Sequence, residues 1–293
     1  MQRRKPRFDD DEQRQLRSRY QPVEFDYSDD TVPGGGDRWS TWDQSTAGER
    51  GPEPYPEWLV TDLAAVDIER GVLKTGKEAD VHLLRRGVPD TDRSCLLAAK
   101  RYRDGKHRAF HRDAGYLEGR RVRRSRENRA MRTRTAFGRD LIAGQWAWTE
   151  FEALRRLWLV GAAVPYPVQL LGTELLLEFI GDPDGTAAPR LAEIRLRGAD
   201  LDPLWSQLVE LAVALARAGL AHGDLSPYNL LVHNGRLVVI DLPQVVDVIA
   251  NPQGPGYLDR DATNVAGWFA ARGLPAADPP GFAALLRAEA GFG

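Results

Sequence analysis

Apolar residues fall into two kinds of pattern along this chain. Gly71–Leu84 reads as two strands joined by a turn over Thr75–Asp80, and Leu96–Tyr102 as a third. Gln169–Gly172 and Leu175–Ile180 are two further short runs bounded by turn residues, again the mark of strands. Between them, from about Leu141 to Val160, Trp146, Glu150, Ala153, Leu154, Leu157 and Trp158 recur at helical spacing until Gly161 ends the pattern. Asp202-Pro203 predicts a helix start, with Asp202 as N-cap and a buried face of Leu204, Leu208, Leu211 and Leu215 ending near Gly219. Helical patterns return at about 257–272 and 280–290.

Between those helices lies the stretch on which the rest turns. Leu230-Leu231-Val232 and Leu237-Val238-Val239-Ile240 flank Asn234-Gly235, a strong two-residue hairpin signal. Such a hairpin brings its open ends together, so Asn229 and Asp241 become neighbours, and Asp224 sits on the loop that enters it. Two carboxylates and an amide oxygen converge. Magnesium prefers a few hard protein oxygens and takes the rest from phosphate and water. Asn229 and Asp241 would supply those oxygens, and Asp224 would accept a proton from an attacking hydroxyl. The alternative is a polar turn beside a buried hairpin.

Other candidates follow from place in the chain. A turn holding Gly76 lets backbone N–H groups approach a phosphate, and Lys77 adds charge; a plain hairpin turn competes with that reading. Lys100 closes an apolar run and must either snorkel to solvent or find a partner. Glu150, on or beside an apolar helical stripe, is its natural partner, or else a surface carboxylate. Gly181-Asp182-Pro183-Asp184-Gly185 breaks the pattern, either as a lobe junction with a nucleobase against the backbone of Glu178 and Ile180 or as a simple linker.

The 293 residues, 42% of them hydrophobic, allow a sizeable core. A net charge of −2 implies no global attraction to nucleic acid. One segment departs from this balance: from Lys100 to Arg139 there are 15 Lys and Arg against 4 Asp and Glu. It reads as a solvated, partly mobile loop or as a contact for RNA or phosphate, and Ser125, Thr133 and Thr135 within it are candidate modification sites. Cys95 is the only cysteine, so no intrachain disulfide forms. No apolar run approaches the length of a membrane span and no secretory pattern opens the chain, so a cytoplasmic setting is expected. Residues 1–54 mix charge clusters with Gly34-Gly35-Gly36 and are expected to be a disordered tail, with Trp39 and Trp42 as the residues able to dock.

Several stretches together resemble the RIO family of atypical serine/threonine protein kinases. They are Thr75-Gly76-Lys77-Glu78-Ala79-Asp80-Val81, Glu178-Phe179-Ile180-Gly181, His222-Gly223-Asp224-Leu225-Ser226-Pro227-Tyr228-Asn229 and Ile240-Asp241-Leu242-Pro243-Gln244. Leu258-Asp259-Arg260-Asp261-Ala262-Thr263-Asn264-Val265 resembles a family segment too, and the likeness runs over about residues 57–272 in the subgroup without a winged helix. The resemblance implies an α+β, two-lobed protein-kinase-like fold with a reduced C-lobe. The boundaries are then a tail over 1–54 and a domain over 55–293: N-lobe about 55–177, hinge about 178–182, C-lobe about 183–293, basic flexible loop about 101–139. It implies ATP as substrate, with Mg2+, or Mn2+ in its place, as cofactor. Gly76 and Lys77 would lie in the phosphate loop, Lys100 and Glu150 form the phosphate-anchoring pair, and Glu178 and Ile180 hold adenine through backbone. Asp224 would be the proton acceptor, Asn229 and Asp241 would hold the metal, and the position of Asp241 can accept phosphate transiently. The basic loop matches one known for autophosphorylation, and a ribosomal subunit or RNA-rich particle is the implied partner. Two residues depart from the usual pattern: Pro243, and Asp80, which puts negative charge near bound phosphates.

Two competitors remain. A small-molecule phosphotransferase of the aminoglycoside or choline kinase type shares the His222–Asn229 pattern, but the 52 residues after Asp241 leave little room for its substrate region. A nucleotide-gated binding module fits the basic loop and short C-terminal part.

Overall fold

Alternating side chains give β-strands two working faces, and that alternation organises the N-terminal half of this protein. The computed structural model describes Val32, residues 35–103 and residues 136–292. The strands are β1 (Arg38–Trp39), β2 (Val66–Thr75), β3 (Ala79–Gly87), β4 (Ser94–Tyr102), β5 (Pro167–Leu171) and β6 (Glu174–Glu178). They form one antiparallel sheet in the order β1-β2-β3-β4-β6-β5. On β4, Ala98, Lys100 and Tyr102 face the inner side, and Cys95, Leu97 and Ala99 join an outer cluster with Trp42, Leu59, Val60, Tyr166 and Leu176.

The outer face is held by charge as well as by apolar contact. Asp67 and Arg86 are fully buried, and Arg86 donates to Asp67 Oδ1 at 2.7 Å and to Oδ2 at 3.0 Å. Arg38 reaches the same Asp67 at 3.2 Å and Glu174 at 2.8 Å. Arg101, paired with Glu174 across the sheet, donates to it at 2.7 Å. Gln169 ties the cluster to Thr41, accepting from Arg86 at 3.0 Å and donating to the Thr41 carbonyl at 3.1 Å. Each charge out of water has an opposite charge in hydrogen-bonding geometry, which is the condition for burying it at all.

This corrects one expectation. Residues 38–54 are no solvated tail: Arg38 and Trp42 are buried, Gly51 N–H bonds the Val168 carbonyl at 3.0 Å, and Tyr166 Oη donates to the Pro52 carbonyl at 2.9 Å. Without residues 38–54, Asp67, Glu174 and Gln169 on the sheet's outer face would each lose a partner. The remaining tail, residues 1–31, lies outside the described residues, as does the basic segment from 104 to 135 with Arg120–Arg126, Ser125, Thr133 and Thr135.

Helix α1 (Ala136–Leu159) crosses beneath the sheet, burying Ala143, Ala147, Phe151, Leu154 and Leu157 at helical intervals. After β6 the chain makes a small hydrogen-bonded turn: Asp182 N–H bonds the Thr186 carbonyl at 2.9 Å, and Gly181 bridges Ala187. A Cβ on Gly181 would run into the Thr186 carbonyl, so glycine is required there. The second lobe holds α2 (Asp202–Arg217), the short pair β7 (Leu220–Ala221) and β10 (Val246–Asp247), and the hairpin β8 (Leu230–His233) and β9 (Arg236–Val239). Helices α3 (Gly254–Ala270) and α4 (Pro279–Glu289) complete it. Trp205 of α2 contacts Phe269 and Phe282 with ring centroids 5.3 and 5.1 Å apart, joining all three helices. Asp202 is not the N-cap of α2: a 3-10 turn over Gly198–Leu201 runs straight into the helix, Leu201 precedes it with helical dihedrals, and Pro203 sits in its first turn. Among the described residues no helix is long and apolar enough to cross a membrane.

The buried network predicts a steep response to single truncations. Arg86→Ala leaves Asp67 buried with a weaker partner and is expected to cost about 3–5 kcal/mol, read from the urea midpoint. A chain begun at Tyr55 should be destabilised in the same measurement; an unchanged midpoint would mean the outer face does not depend on residues 38–54.

Candidate active site

Between the two lobes lies a cleft of about 220 Å³. Gly76, Ala79 and Val81 roof it, Ala98, Lys100 and Tyr102 of β4 and Glu150 of α1 wall it, and Leu231, Ile240 and Asp241 close it from the second lobe. Lys100 is buried, and its Nζ lies 2.8 Å from the Glu150 carboxylate and 2.6 Å from Asp241 Oδ1. It has not snorkelled to solvent. Burial alone would pull its ammonium down, but Asp241 and Glu150 outweigh it and hold it well above the ordinary lysine range. Glu150 is buried inside the apolar stripe of α1 and has two further donors: the Tyr102 hydroxyl, and Leu242 N–H at 3.0 Å.

Asp241 reaches this place by the predicted hairpin. Asn234 and Gly235 adopt positive φ (50° and 74°), the turn that matches strand twist, and β8 pairs with β9 from Leu230 opposite Val239. One step further, Ile240 N–H bonds the Asn229 carbonyl at 3.0 Å. Asp241 itself has φ 69°, a left-handed conformation that costs a non-glycine residue on the order of 1–3 kcal/mol. Its ion pair with Lys100 and the anchoring of Leu242 by Glu150 hold it there. Burial would raise the Asp241 carboxyl, but Lys100 pulls it down to about 2.

Asp224 and Asn229 stand on the adjoining loop and do not line the cleft itself. Asn229 Nδ2 donates to the Asp224 carbonyl at 3.0 Å, which leaves the amide oxygen as its remaining polar atom. His222 Nε2 lies 3.0 Å from the Ile240 carbonyl, an acceptor only, so Nε2 carries the proton and Nδ1 faces Asp224 N–H at 3.4 Å. Asp261 of α3 anchors the loop from below. Its carboxylate accepts from Gly223 N–H at 2.8 Å and Leu225 N–H at 3.0 Å, while Arg260 donates to the Gly223 carbonyl. Burial raises the Asp261 carboxyl; His222 and the two amides oppose that.

The connection between lobes offers an edge of alternating polarity. The Glu178 N–H is taken by the Tyr166 carbonyl at 2.9 Å, so a ligand can use only its carbonyl. The Ile180 carbonyl is taken by Ala188 N–H at 3.0 Å, so a ligand can use only its N–H. An acceptor and a donor two residues apart match the amino group and ring nitrogen on one edge of adenine. Residues 189–190 then pair with β8: Val232 N–H bonds the Pro189 carbonyl at 2.9 Å and Arg190 bridges Leu231.

The structure thus brings Gly76, Lys100, Glu150, Glu178, Ile180 and Asp241 into one cleft, with Asp224 and Asn229 beside it. Lys77 is the exception: it is exposed and absent from the cleft, and Lys74, three residues earlier, lines it instead. The turn points residues 74 and 76 one way and residue 77 the other. Asp80 brings no unpaired charge to the cleft, because Arg103 grips its carboxylate, donating from Nε at 2.6 Å, and holds it below the usual carboxylate range. Tyr102, Arg190, Arg260 and Asp261 are site residues to which sequence reasoning assigns no role.

A family model for the RIO domain matches residues 97–281. The chain belongs to the RIO family. It is similar to the RIO-type serine/threonine-protein kinase Rio1 of Haloferax volcanii, 36% identical over 211 residues that cover 72% of this chain and 66% of that one. It is also similar to the serine/threonine-protein kinase RIO1 of Caenorhabditis elegans, 38% identical over 131 residues, 44% of this chain and 26% of that protein. The RIO chain thus spans about two thirds of the archaeal relative and about a quarter of the nematode one. A solved complex of the Rio2 kinase of Chaetomium thermophilum with ADP, Mg2+ and phosphoaspartate superposes with a TM-score of 0.52 at 20% identity, covering 76% of this chain and 62% of that one. The α+β, two-lobed kinase-like fold follows.

Among the described residues no three His, Cys, Asp or Glu side chains form a ready-made metal cage. The donors present, an Asn229 amide oxygen and the Asp241 carboxylate, are hard oxygens of the kind that suits Mg2+ completed by phosphate and water.

The charge state of Asp241 has a testable sign. Its folded pKa is lowered, so the stability it contributes is complete above the ordinary carboxylate range and is lost as pH falls through about 2. Asp241→Asn should therefore melt below the wild type by a constant margin across neutral pH, and the margin should close as pH falls from 4 toward 2. A margin that peaks in acid would contradict the ion pair.

Proposed function

We propose that this RIO protein is an ATP- and Mg2+-dependent serine/threonine protein kinase with autophosphorylation and intrinsic ATPase activity, working in the cytoplasm. The observation that carries the proposal is Lys100, buried at the inner end of an interlobe cleft and shared by Glu150 and Asp241. A lysine held charged and fixed by two carboxylates is a phosphate anchor with its geometry set before the ligand arrives. The backbone edge at Glu178 and Ile180 would take adenine, which points the phosphates inward toward Gly76 and Lys100.

Bound Mg2+ would neutralise charge on the transferred phosphoryl group, and Asn229 and Asp241 would hold it. Asp224, half-buried on a loop fixed by Asp261 and by Asn229, would orient the acceptor hydroxyl and receive its proton. The second acidic group at the γ-phosphate end, Asp241, is the candidate for transient phosphorylation in an ATPase cycle. The Rio2 complex, described as carrying phosphoaspartate, supports that side of the reading. The partner proposed is a ribosomal subunit or other RNA-rich particle, and the support for it is the charge of the segment before α1.

The test is incubation with γ-labelled ATP and Mg2+, following both inorganic phosphate and label on the protein. Asp224→Ala should lower turnover about 10²–10⁴-fold. Asp241→Ala should abolish it and remove any hydroxylamine-sensitive label. A wild type that neither releases phosphate nor labels itself or a generic protein would sink the enzyme reading.

A further inference from the structure

Two cations of the cleft have no place in the scheme above. Lys74 comes from the end of β2 in the first lobe, and Arg190 from the segment that pairs with β8 in the second; both line the same cleft. Neither makes an ion pair or side-chain hydrogen bond with an acid among the described residues. Their setting contrasts with that of Lys100, bracketed by two carboxylates. The backbone under Arg190 is fixed: its N–H bonds the Glu193 carboxylate at 2.9 Å. Burial, and then Arg190, depress the Lys74 ammonium below the ordinary lysine range, with Asp241 opposing.

The charge balance says what they are for. The cleft lining carries four acids, Glu78, Glu150, Glu178 and Asp241, and without Lys74 and Arg190 only Lys100 would stand against them, an excess of three negative charges. Burial, and then Asp241, raise the Glu78 carboxyl, the response of an acid crowded by another acid. A polyphosphate entering such a site would meet repulsion. Lys74 and Arg190 supply two positive charges and bring that excess down to one.

We propose that Lys74 and Arg190 form a cross-lobe clamp for the phosphates of a nucleoside di- or triphosphate, an inference that rests on the nucleotide reading given above. With no anion between them the two like charges push the lobes apart. A polyphosphate between them accepts charge-assisted hydrogen bonds from both and turns the repulsion into a bridge. Phosphate number, more than the base, then sets how firmly the lobes close.

The experiment is calorimetric titration of the full chain and of Lys74→Gln, Arg190→Gln and the double variant with ADP and with adenosine, in the presence of Mg2+. The clamp predicts that each single variant weakens ADP by about tenfold, the scale of one charged hydrogen bond, and leaves adenosine unchanged. It predicts that Lys74→Arg retains ADP affinity. If the wild type binds ADP and the Gln variants bind it equally well, the clamp is wrong and the nucleotide reading stands. If adenosine weakens in step with ADP, the two residues shape the cleft instead of gripping phosphate, and the clamp is again overturned. If the wild type binds neither ligand, the nucleotide reading fails and the clamp falls with it.

Discussion

A buried ammonium is tolerable only among anions, and in this protein one ammonium and its two anions come from three parts of the chain. Lys100 is on the sheet, Glu150 on the helix beneath it, and Asp241 at the end of a hairpin in the other lobe. The triad is a joint as much as a site. It fixes the rotation of α1, since Glu150 must point at the sheet, and it holds Asp241 in a backbone conformation the residue would otherwise avoid. Tyr102, two residues along the same strand face, adds its hydroxyl to Glu150. Removing the lysine would leave the Glu150 and Asp241 carboxylates without the cation they share.

Much of this is legible in the order of the residues alone. Strand alternation and the Asn234-Gly235 turn place Asn229 beside the end of β9, because hairpin geometry is local and a two-residue turn leaves no choice of register. Glu150 is legible as a carboxylate inside a helical apolar stripe. The same signal is present in α3, where Asp261 sits among Leu258, Ala262, Val265 and Ala266, but nothing along the chain says what it holds. Its partners are backbone amides of a distant loop, and amides leave no mark in a sequence. Lys77 departs from its expected place for a related reason: which way a residue faces at a turn depends on dihedrals that composition does not fix. Residues 38–54 read as solvated because their apolar content is low, yet they dock through charge.

The two faces of the sheet solve the same problem with different consequences. On the outer face, Asp67, Arg86, Arg38, Glu174 and Arg101 satisfy one another and leave nothing for a ligand. On the inner face the acids outnumber the cation they surround, and side chains that reach in from both lobes reduce the excess without closing it. A fully satisfied network makes the sheet rigid, and a partly satisfied one makes the cleft responsive.

Lys100 and Arg101 are consecutive on β4 and point to opposite faces, each met by its own acid, Glu150 on one side and Glu174 on the other. A strand that slipped by one residue against its neighbours would exchange them, setting a branched guanidinium where the compact ammonium belongs and an ammonium where a forked donor is needed. Each acid would then face a cation of the wrong shape. The strand therefore carries its own alignment check: mispairing is penalised on both sides of the sheet at once, and only the register that completes the structural network also completes the cleft.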